Sequence, residues 1–234
     1  MAEIKVEDMD AYEGVTMSST TIKNVTIERF GHASFKIEGE GMIIYIDPYV
    51  LPDKVDYEDQ ADIILITHEH YDHCSPEAIR AVRKSESTTL VPESCTLEFR
   101  GDARRISEGD MLTGDLAIKG IGIEVVPAYN INKSYHPQGT GVGYIIEVDG
   151  LKIYHAGDTD LIPQMKDISV DVALLPIGGT YTMDESEAAE AALAIAPDVV
   201  IPMHYNYSDA TPADAGMFKQ LVQDKNPDIE VIIL

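Results

Sequence analysis

The segment Asp62-Ile63-Ile64-Leu65-Ile66-Thr67-His68-Glu69-His70-Tyr71-Asp72-His73 joins an apolar run to a cluster of histidines and carboxylates. The apolar part, 62–66, has the length of a strand and no polar alternation, which is typical of a strand covered on both faces. Residues two apart point the same way in an extended or tightly turned chain, so His68, His70 and Asp72 can converge, with His73 turned toward a neighbouring point. Imidazole and carboxylate bind zinc, and also iron and manganese. The segment therefore predicts a metal site at the end of a buried strand.

The surroundings of this segment recur later in the chain. Residues 37–45 resemble 146–154, and 62–66 resemble 171–175, both at a displacement of 109 residues (146 − 37). Such a constant offset predicts two related halves, each one supersecondary unit. Each half is predicted to contain a hairpin, a buried strand, a helix and a further strand, with the helix of the second half at 185–196. A last helix at 212–223 and a final strand at 229–234 are predicted to close the chain. Strands from both halves with helices between them predict an α/β fold with two sheets packed face to face and flanked by helices.

Two further candidate ligands follow predicted strands of the second half. Asp158 lies just past the strand 152–154, after a small Ala-Gly pair that lets the backbone approach closely. His204 lies just past the strand 199–201. Strand ends of this kind are where open α/β sheets place ligands. Because one run of ligands cannot complete two metal sites, we expect these two residues to help hold a pair of metals about 3.5–4 Å apart.

Together these motifs, T-H-x-H-x-D-H at 67–73, G-D-T at 157–159 and P-x-H-Y at 202–205, resemble the metallo-β-lactamase superfamily. The flanking segments 30–35, 154–160 and 175–179 resemble the branch related to L-ascorbate-6-phosphate lactonases. The resemblance runs from about residue 24 to the C-terminus and implies an αββα sandwich of two mixed β-sheets, built from two pseudo-repeated halves. It also implies the metal ligands: His68, His70 and a third histidine for one metal, Asp72, His73 and His204 for the other, and Asp158 as a bridge.

The third histidine is where this sequence departs from the clearest family pattern. Several relatives carry that ligand directly after a Pro-Ala-x stretch, whereas here the Pro-Ala-Tyr at 127–129 is followed by Asn130. Other than His155, the histidine between the first run and the Gly-Asp pair is His136, eight residues before Tyr144, a spacing that resembles other superfamily members. We expect His136 to be the ligand; otherwise Asn130 or water fills the position.

Five more residues are candidates for contact with substrate or for orienting the ligands. His32 lies at the start of the first predicted hairpin and is expected to bond substrate or to orient a ligand. Asp47 is expected to orient a ligand imidazole, and His155 to be a packed, hydrogen-bonded residue behind the ligands. Thr180 and Tyr181 follow a strand end and are expected to form one wall of the cleft.

Composition limits the classes of partner. The chain has 234 residues, enough for one domain spanning 1–234, in which 1–22 is expected to be a loosely ordered lead-in. An excess of Asp and Glu gives a formal net charge of −24, which repels phosphate backbones and anionic lipids, so nucleic acid and membrane are disfavoured as partners.

Two cysteines are too few for a disulfide framework, so a reducing, cytoplasmic location is expected.

The resemblance implies an enzyme, a binuclear metal-dependent hydrolase with two divalent metals, zinc foremost and manganese or iron as alternatives. A metal-bound hydroxide would cleave a small ester, lactone or phosphodiester, with Asp72 placed to orient it and to take its proton. The partner would be a small-molecule substrate. Relatives often assemble, so a homo-oligomer is a further expectation.

Three alternatives remain open from the sequence. A di-iron redox protein would act with a partner flavoprotein, because the chain is too short to carry a flavin domain as well. A nuclease would need a basic tract, which the acidic composition opposes. A non-catalytic metal-binding role is opposed by the complete set of candidate ligands.

Overall fold

The computed structural model of the protein describes residues 6–12, 15–52 and 54–234. The chain divides into two compact units, the first running to Ser107 and including Leu234, the second being Glu108–Ile233. That residues 1–234 act as a single domain stays a prediction. Among the described residues, no helix is both long enough and apolar enough to cross a membrane.

The first unit is built around an eight-stranded mixed sheet whose strand order follows the chain from β1 to β8. Neighbouring strands from β1 to β5 are antiparallel, and those from β5 to β8 are parallel. The elements are β1 (Val6–Tyr12), β2 (Val15–Ile22), β3 (Val25–Gly31), β4 (Ser34–Gly39), β5 (Met42–Ile46), β6 (Ala61–Leu65), α1 (Pro76–Val82), β7 (Arg83–Pro92) and β8 (Asp102–Ile106).

Helix α1 covers part of this sheet and has clear sequence signals at its start. Ser75 caps it by accepting a hydrogen bond from the Ala78 N–H at 3.3 Å, and Pro76 occupies the first helical position. Ile79 and Val82 of α1 pack in one core cluster with Ile64 and Ile66, while the alternate residues of β6 are also fully buried. β6 is therefore buried on both faces, as its continuous apolar sequence predicts.

A seven-stranded mixed sheet forms the second unit, in the order β15-β14-β13-β12-β11-β10-β9. Helices α2 and α3 pack against each other, α2 against β13 and α3 against β15. The elements are β9 (Met111–Leu112), β10 (Gly122–Ala128), β11 (Gly141–Val148), β12 (Leu151–His155), β13 (Val172–Pro176), α2 (Glu185–Ile195), β14 (Val199–Met203), α3 (Ala215–Lys225) and β15 (Glu230–Val231).

The predicted repeat is visible in the strand pairing of the two units. In the parallel pair β5–β6, Ile44 lies opposite Ile63; in β12–β13, Ile153 lies opposite Val172, which is the same register at the displacement of 109 residues. A side-chain hydrogen bond recurs at equivalent positions as well. Asp62 accepts from the Ile43 N–H at 2.9 Å, and Asp171 accepts from the Lys152 N–H at 2.7 Å. The two halves therefore share pairing order and register.

Residues 1–22 differ from the prediction of a loosely ordered lead-in where the structure describes them. Val6–Tyr12 and Val15–Ile22 are strands, and β2 pairs with β3 from Ser18 opposite Arg29 to Ile22 opposite Val25. The β-branched residues of 15–22 favour a strand. Their many hydroxyl groups hide the apolar alternation by which a strand is recognised.

Two boundaries in the second unit also differ from the sequence prediction. The last helix is predicted at 212–223 but begins at Ala215, because Asp214 caps it by accepting a hydrogen bond from the Met217 N–H at 3.1 Å. The final strand is predicted at 229–234 but is the short Glu230–Val231. Helix α2 begins at Glu185, as predicted, behind a capping box formed by Asp184 and Glu187.

We expect Asp171→Ala to lower the free energy of unfolding by about 1–2 kcal/mol, because the Lys152 N–H loses its acceptor between β12 and β13. Asp171→Asn keeps an acceptor oxygen and should stay within about 0.5 kcal/mol of the parent. Urea unfolding of both variants measures the difference. Equal destabilisation by Ala and Asn would contradict the role given to this hydrogen bond.

Candidate metal centre

The histidine run of the first unit is wound into a tight turn directly after β6. The His73 and Cys74 N–H groups both donate to the carbonyl of His70, at 3.0 and 2.8 Å. The turn brings the imidazoles together: Nε2 of His68 lies 3.0 Å from Nδ1 of His70, and the ring centroids of His68 and His73 are 4.1 Å apart. His68 and His73 are buried, whereas His70 is exposed. Three of the predicted ligands therefore share one small volume.

Asp47 organises this cluster from the residue that follows β5. Its Oδ2 lies 2.7 Å from Nδ1 of His73, and its two oxygens accept hydrogen bonds from the Thr67 N–H at 2.8 Å and from the Thr67 hydroxyl at 2.6 Å. The Thr67 hydroxyl is in turn 2.9 Å from Nδ1 of His68. Asp47 and His73 are fully buried. A carboxylate held in this way fixes ring orientation and leaves Nε2 of His73 as the atom available to a metal.

His32 and Asp72 form a second pair in the same unit. Nε2 of His32 lies 3.0 Å from Oδ2 of Asp72, and that same oxygen is 3.9 Å from Nε2 of His73. His32 is buried, while the Asp72 side chain is 42% exposed. His32 therefore orients an acidic side chain that solvent can still reach.

Cys74 directly follows His73, yet its thiol belongs to the core. Its side chain is buried in a cluster with Cys95, Ile79 and Val82. Burial, together with the neighbouring Cys95, raises the pKa of the Cys74 thiol well above its usual range. Since the thiolate is the metal-binding form, Cys74 is unsuited to be a ligand.

In the second unit, Asp158 is the meeting point of two imidazoles. Its Oδ2 lies 3.0 Å from Nε2 of His204 and 3.3 Å from Nε2 of His136. Their side chains are all at most 5% exposed. His204 is the first residue after β14, and Asp158 lies three residues after β12. Two imidazoles converging on one buried carboxylate form a donor set typical of zinc, manganese or iron sites.

Asn130 supports His136 rather than taking its place beside Asp158. Its Oδ1 accepts a hydrogen bond from the His136 N–H at 3.0 Å and lies 3.2 Å from Nδ1 of that ring. Its amide group donates to Asp160 at 3.0 Å and to the Tyr181 carbonyl at 2.9 Å. The amide therefore fixes His136 with Nε2 directed at Asp158.

Sequence analysis did not place Asp160 or Lys133 in this network. Asp160 accepts from Lys133 Nζ at 2.7 Å and from the Ile131 N–H at 2.9 Å, and Lys133 also donates to the Thr182 carbonyl at 2.8 Å. The sequence feature that could have indicated Asp160 is its carboxylate, which lies two residues after that of Asp158. Loop residues separated by about 30 positions meet only in the folded chain, so the sequence did not reveal their partners.

Three more residues that were predicted to support or line the site lie in the second unit, and each has its own neighbours. His155 is fully buried, and its Nδ1 accepts a hydrogen bond from the Gly157 N–H at 3.2 Å, which supports the loop that carries Asp158. The Tyr181 ring lies edge-on to Tyr135, with centroids 4.7 Å apart. Thr180 is exposed, and its N–H donates to the Gly178 carbonyl at 2.8 Å, so its place in a cleft wall stays a prediction.

Backbone geometry at the strand ends is unusual. Asp47 and His204, each directly after a strand, have φ of 46° and 55°, and His32 has φ of 51°. This left-handed region is sparsely used by residues other than glycine, and strain there costs on the order of 1–3 kcal/mol. Gly178 permits the conformation of His204, because a Cβ at 178 would lie 2.3 Å from the His204 carbonyl oxygen.

The donor chemistry of both clusters fits divalent metal ions. In the first unit, the imidazoles of His68, His70 and His73 lie together, and Asp47 holds Nδ1 of His73. In the second, His136 and His204 flank Asp158. Imidazoles whose other nitrogen is held by a carboxylate or amide oxygen are typical of metal sites.

Comparison with known proteins identifies close relatives over most of the chain. A family model described as a beta-lactamase superfamily domain matches residues 26–204. A UPF0173 metal-dependent hydrolase of Thermococcus kodakarensis is 38% identical over 224 residues, which covers 90% of this chain and 96% of that protein. One from Methanopyrus kandleri is 34% identical over 221 residues, covering 87% and 94%.

Solved structures agree with these matches. A metallo hydrolase from the hyperthermophilic archaeon Ignicoccus hospitalis has a TM-score of 0.75 and 33% identity, covering 90% of this chain and 94% of that one. CmlA, a diiron β-hydroxylase from Streptomyces venezuelae, has a TM-score of 0.68 at 18% identity over 93% of this chain and 54% of its own, and so shows the fold alone. The predicted fold class is confirmed.

We expect Asp47→Asn to weaken zinc binding about 10- to 100-fold, because the charged partner of the His73 imidazole is lost. Asparagine accepts the left-handed φ at this position, so the backbone should be kept. Asp56→Asn, at an exposed position of the same unit, is the matched control. Zinc titration against a competing chelator measures the change, and equal affinity in both variants would contradict the role of Asp47.

Gly178→Ala should lower the free energy of unfolding by about 2–3 kcal/mol and reduce metal content, because the new methyl group must displace His204. Gly139→Ala is the control: its added Cβ meets no atom within 4 Å, so only the strain of its positive φ, about 1–2 kcal/mol, should appear. Urea unfolding and metal analysis compare the two. A Gly178→Ala protein with unchanged metal content would refute this account.

Proposed function

This chain belongs to the metallo-β-lactamase superfamily and, within it, to the UPF0173 family of metal-dependent hydrolases, and we propose that it hydrolyses a small ester, lactone or phosphodiester at a binuclear metal centre. The observation that carries the proposal is the pair of ordered donor clusters, one in each unit, in which buried hydrogen bonds direct imidazole nitrogens toward carboxylates. The likeness to L-ascorbate-6-phosphate lactonases is part of this proposal.

The proposed ligands are the predicted ones, His68, His70, Asp72, His73, His136, Asp158 and His204. Zinc is the favoured metal because five of the seven side chains are imidazoles, with manganese or iron as alternatives. When bound, such metals lower the pKa of water and polarise the bond that is cleaved. Buried free thiols at Cys74 and Cys95 support a reducing compartment, which we propose is the cytoplasm.

The chain's own residues perform the remaining tasks. Asp72 orients the attacking water and accepts its proton, since its carboxylate is partly exposed and is held by His32 at 3.0 Å. Asn130 keeps His136 in one orientation. Tyr135 and Tyr181, packed edge-on beside this network, form an apolar wall for the substrate. The net charge of −24 supports a small substrate over a nucleic acid.

We expect two divalent metals per wild-type chain, and the loss of at least one in His68→Ala and in Asp158→Ala. Turnover of a panel of p-nitrophenyl esters, lactones and phosphodiesters should fall more than about 100-fold in both variants. EDTA should abolish wild-type turnover and added zinc or manganese should restore it. Metal analysis by mass spectrometry and initial rates measure these outcomes.

Glu69→Gln is the matched control for this experiment. Glu69 lies between His68 and His70, but its carboxylate accepts hydrogen bonds from the N–H and hydroxyl of Thr96, which lower its pKa. The control should keep both metals and turnover within about twofold. Full metal content and unchanged turnover in His68→Ala and Asp158→Ala would overturn the proposed function.

A further inference from the structure

A cleft lies in the first unit, along α1 and the start of β7. It has a volume of about 710 Å³, which is within the range of small-ligand sites. None of its lining residues belongs to the candidate metal clusters. The lining residues are Pro76, Ile79, Arg80, Arg83, Lys84, Ser85, Leu97, Glu98, Phe99 and Arg100.

The charge of this cleft is opposite to that of the chain as a whole. The sequence has 17 Lys and Arg against 41 Asp and Glu, yet four basic side chains line the cleft beside one acidic residue, Glu98. Lys84 is neutralised by Asp62 at 2.7 Å. Within the described part of the chain, Arg83 and Arg100 make no salt bridge, so their charges are available to an anion.

The walls of the cleft are held in place by other parts of the first unit. Arg105 of β8 donates to the carbonyls of Pro92 at 3.2 Å and of Leu97 at 2.7 Å, and its guanidinium lies 6.0 Å from the centre of the Phe99 ring. The Arg83 guanidinium is seated against Gly101, where a Cβ would lie 1.8 Å from its Nη2. Arg83 and Phe99 are therefore positioned by packing.

The lining divides into a polar part and an apolar part. Guanidinium groups bind phosphate oxygens in bidentate pairs, and two or three of them are suited to a polyphosphate. Ile79, Leu97 and Phe99 supply an apolar surface, and aromatic rings stack on nucleobases. We propose that this cleft binds a nucleotide-sized organic phosphate, with the phosphates at Arg80, Arg83 and Arg100 and a flat ring against Phe99.

The test is calorimetric titration of ATP into the full-length, metal-loaded protein. We expect saturable binding, and a dissociation constant raised about tenfold in Arg100→Gln and about 100-fold in the Arg83→Gln/Arg100→Gln double variant. Phe99→Ala should raise it about tenfold, and inorganic tripolyphosphate should bind at least about tenfold more weakly than ATP, because both lose ring stacking.

Arg104→Gln is the matched control, since Arg104 lies on β8 outside the cleft and pairs with Asp102 at 3.0 Å. It removes the same charge and should leave ATP affinity within about twofold. Arg100 is exposed, so its single variant should fold and keeps the test valid if the double variant does not. Absence of saturable binding below about 1 mM, unchanged affinity in Arg100→Gln, or equal affinity for tripolyphosphate would overturn the proposal.

Discussion

The buried carboxylate of Asp47 is the constraint on which the histidine cluster of the first unit depends. A charge removed from water must be matched by hydrogen bonds, and this one is matched by the N–H and hydroxyl of Thr67 and by the His73 imidazole. Those partners come from the turn after β6, while Asp47 itself follows β5. The parallel register of β5 and β6 therefore determines where the histidine turn begins, and the strained backbone of Asp47 is held by the contacts around it.

In the second unit, a histidine is held in place by an amide side chain instead of a carboxylate. No side-chain carboxylate equivalent to Asp47 follows β12, because Ala156 occupies that position in the repeat. Instead, an amide at Asn130 holds His136, and the amide is held by Asp160, whose charge is compensated by Lys133. Each link satisfies the polar group before it, as buried networks require. The two halves thus share strand pairing and register, whereas the loops at their strand ends differ.

Much of the sheet structure, and the position of the first histidine cluster, could be predicted from local features of the sequence. The displacement of 109 residues predicted the strand register shared by the two halves, because alternation and buried apolar runs are local signals. The ligand run at 67–73 directly follows the apolar run at 62–66, so its position after β6 could also be predicted from neighbouring residues. Strands β1 to β3 and β8 to β10 were not predicted, since most of these segments are polar or short and lack clear alternation. The partners of His136 depend on loops that meet only after folding, which explains why Asn130 stayed an open alternative from sequence.

The strand order of the first sheet leaves β8 at one edge. An uncovered edge offers unpaired N–H and carbonyl groups to any extended segment of another chain, and so invites aggregation. Residues 102–105 of this strand read Asp-Ala-Arg-Arg, and Arg104 and Asp102 pair along the strand itself. Charged side chains at such an edge oppose the addition of a foreign strand. The same short element that anchors a loop through Arg105 therefore also protects the sheet against uncontrolled growth.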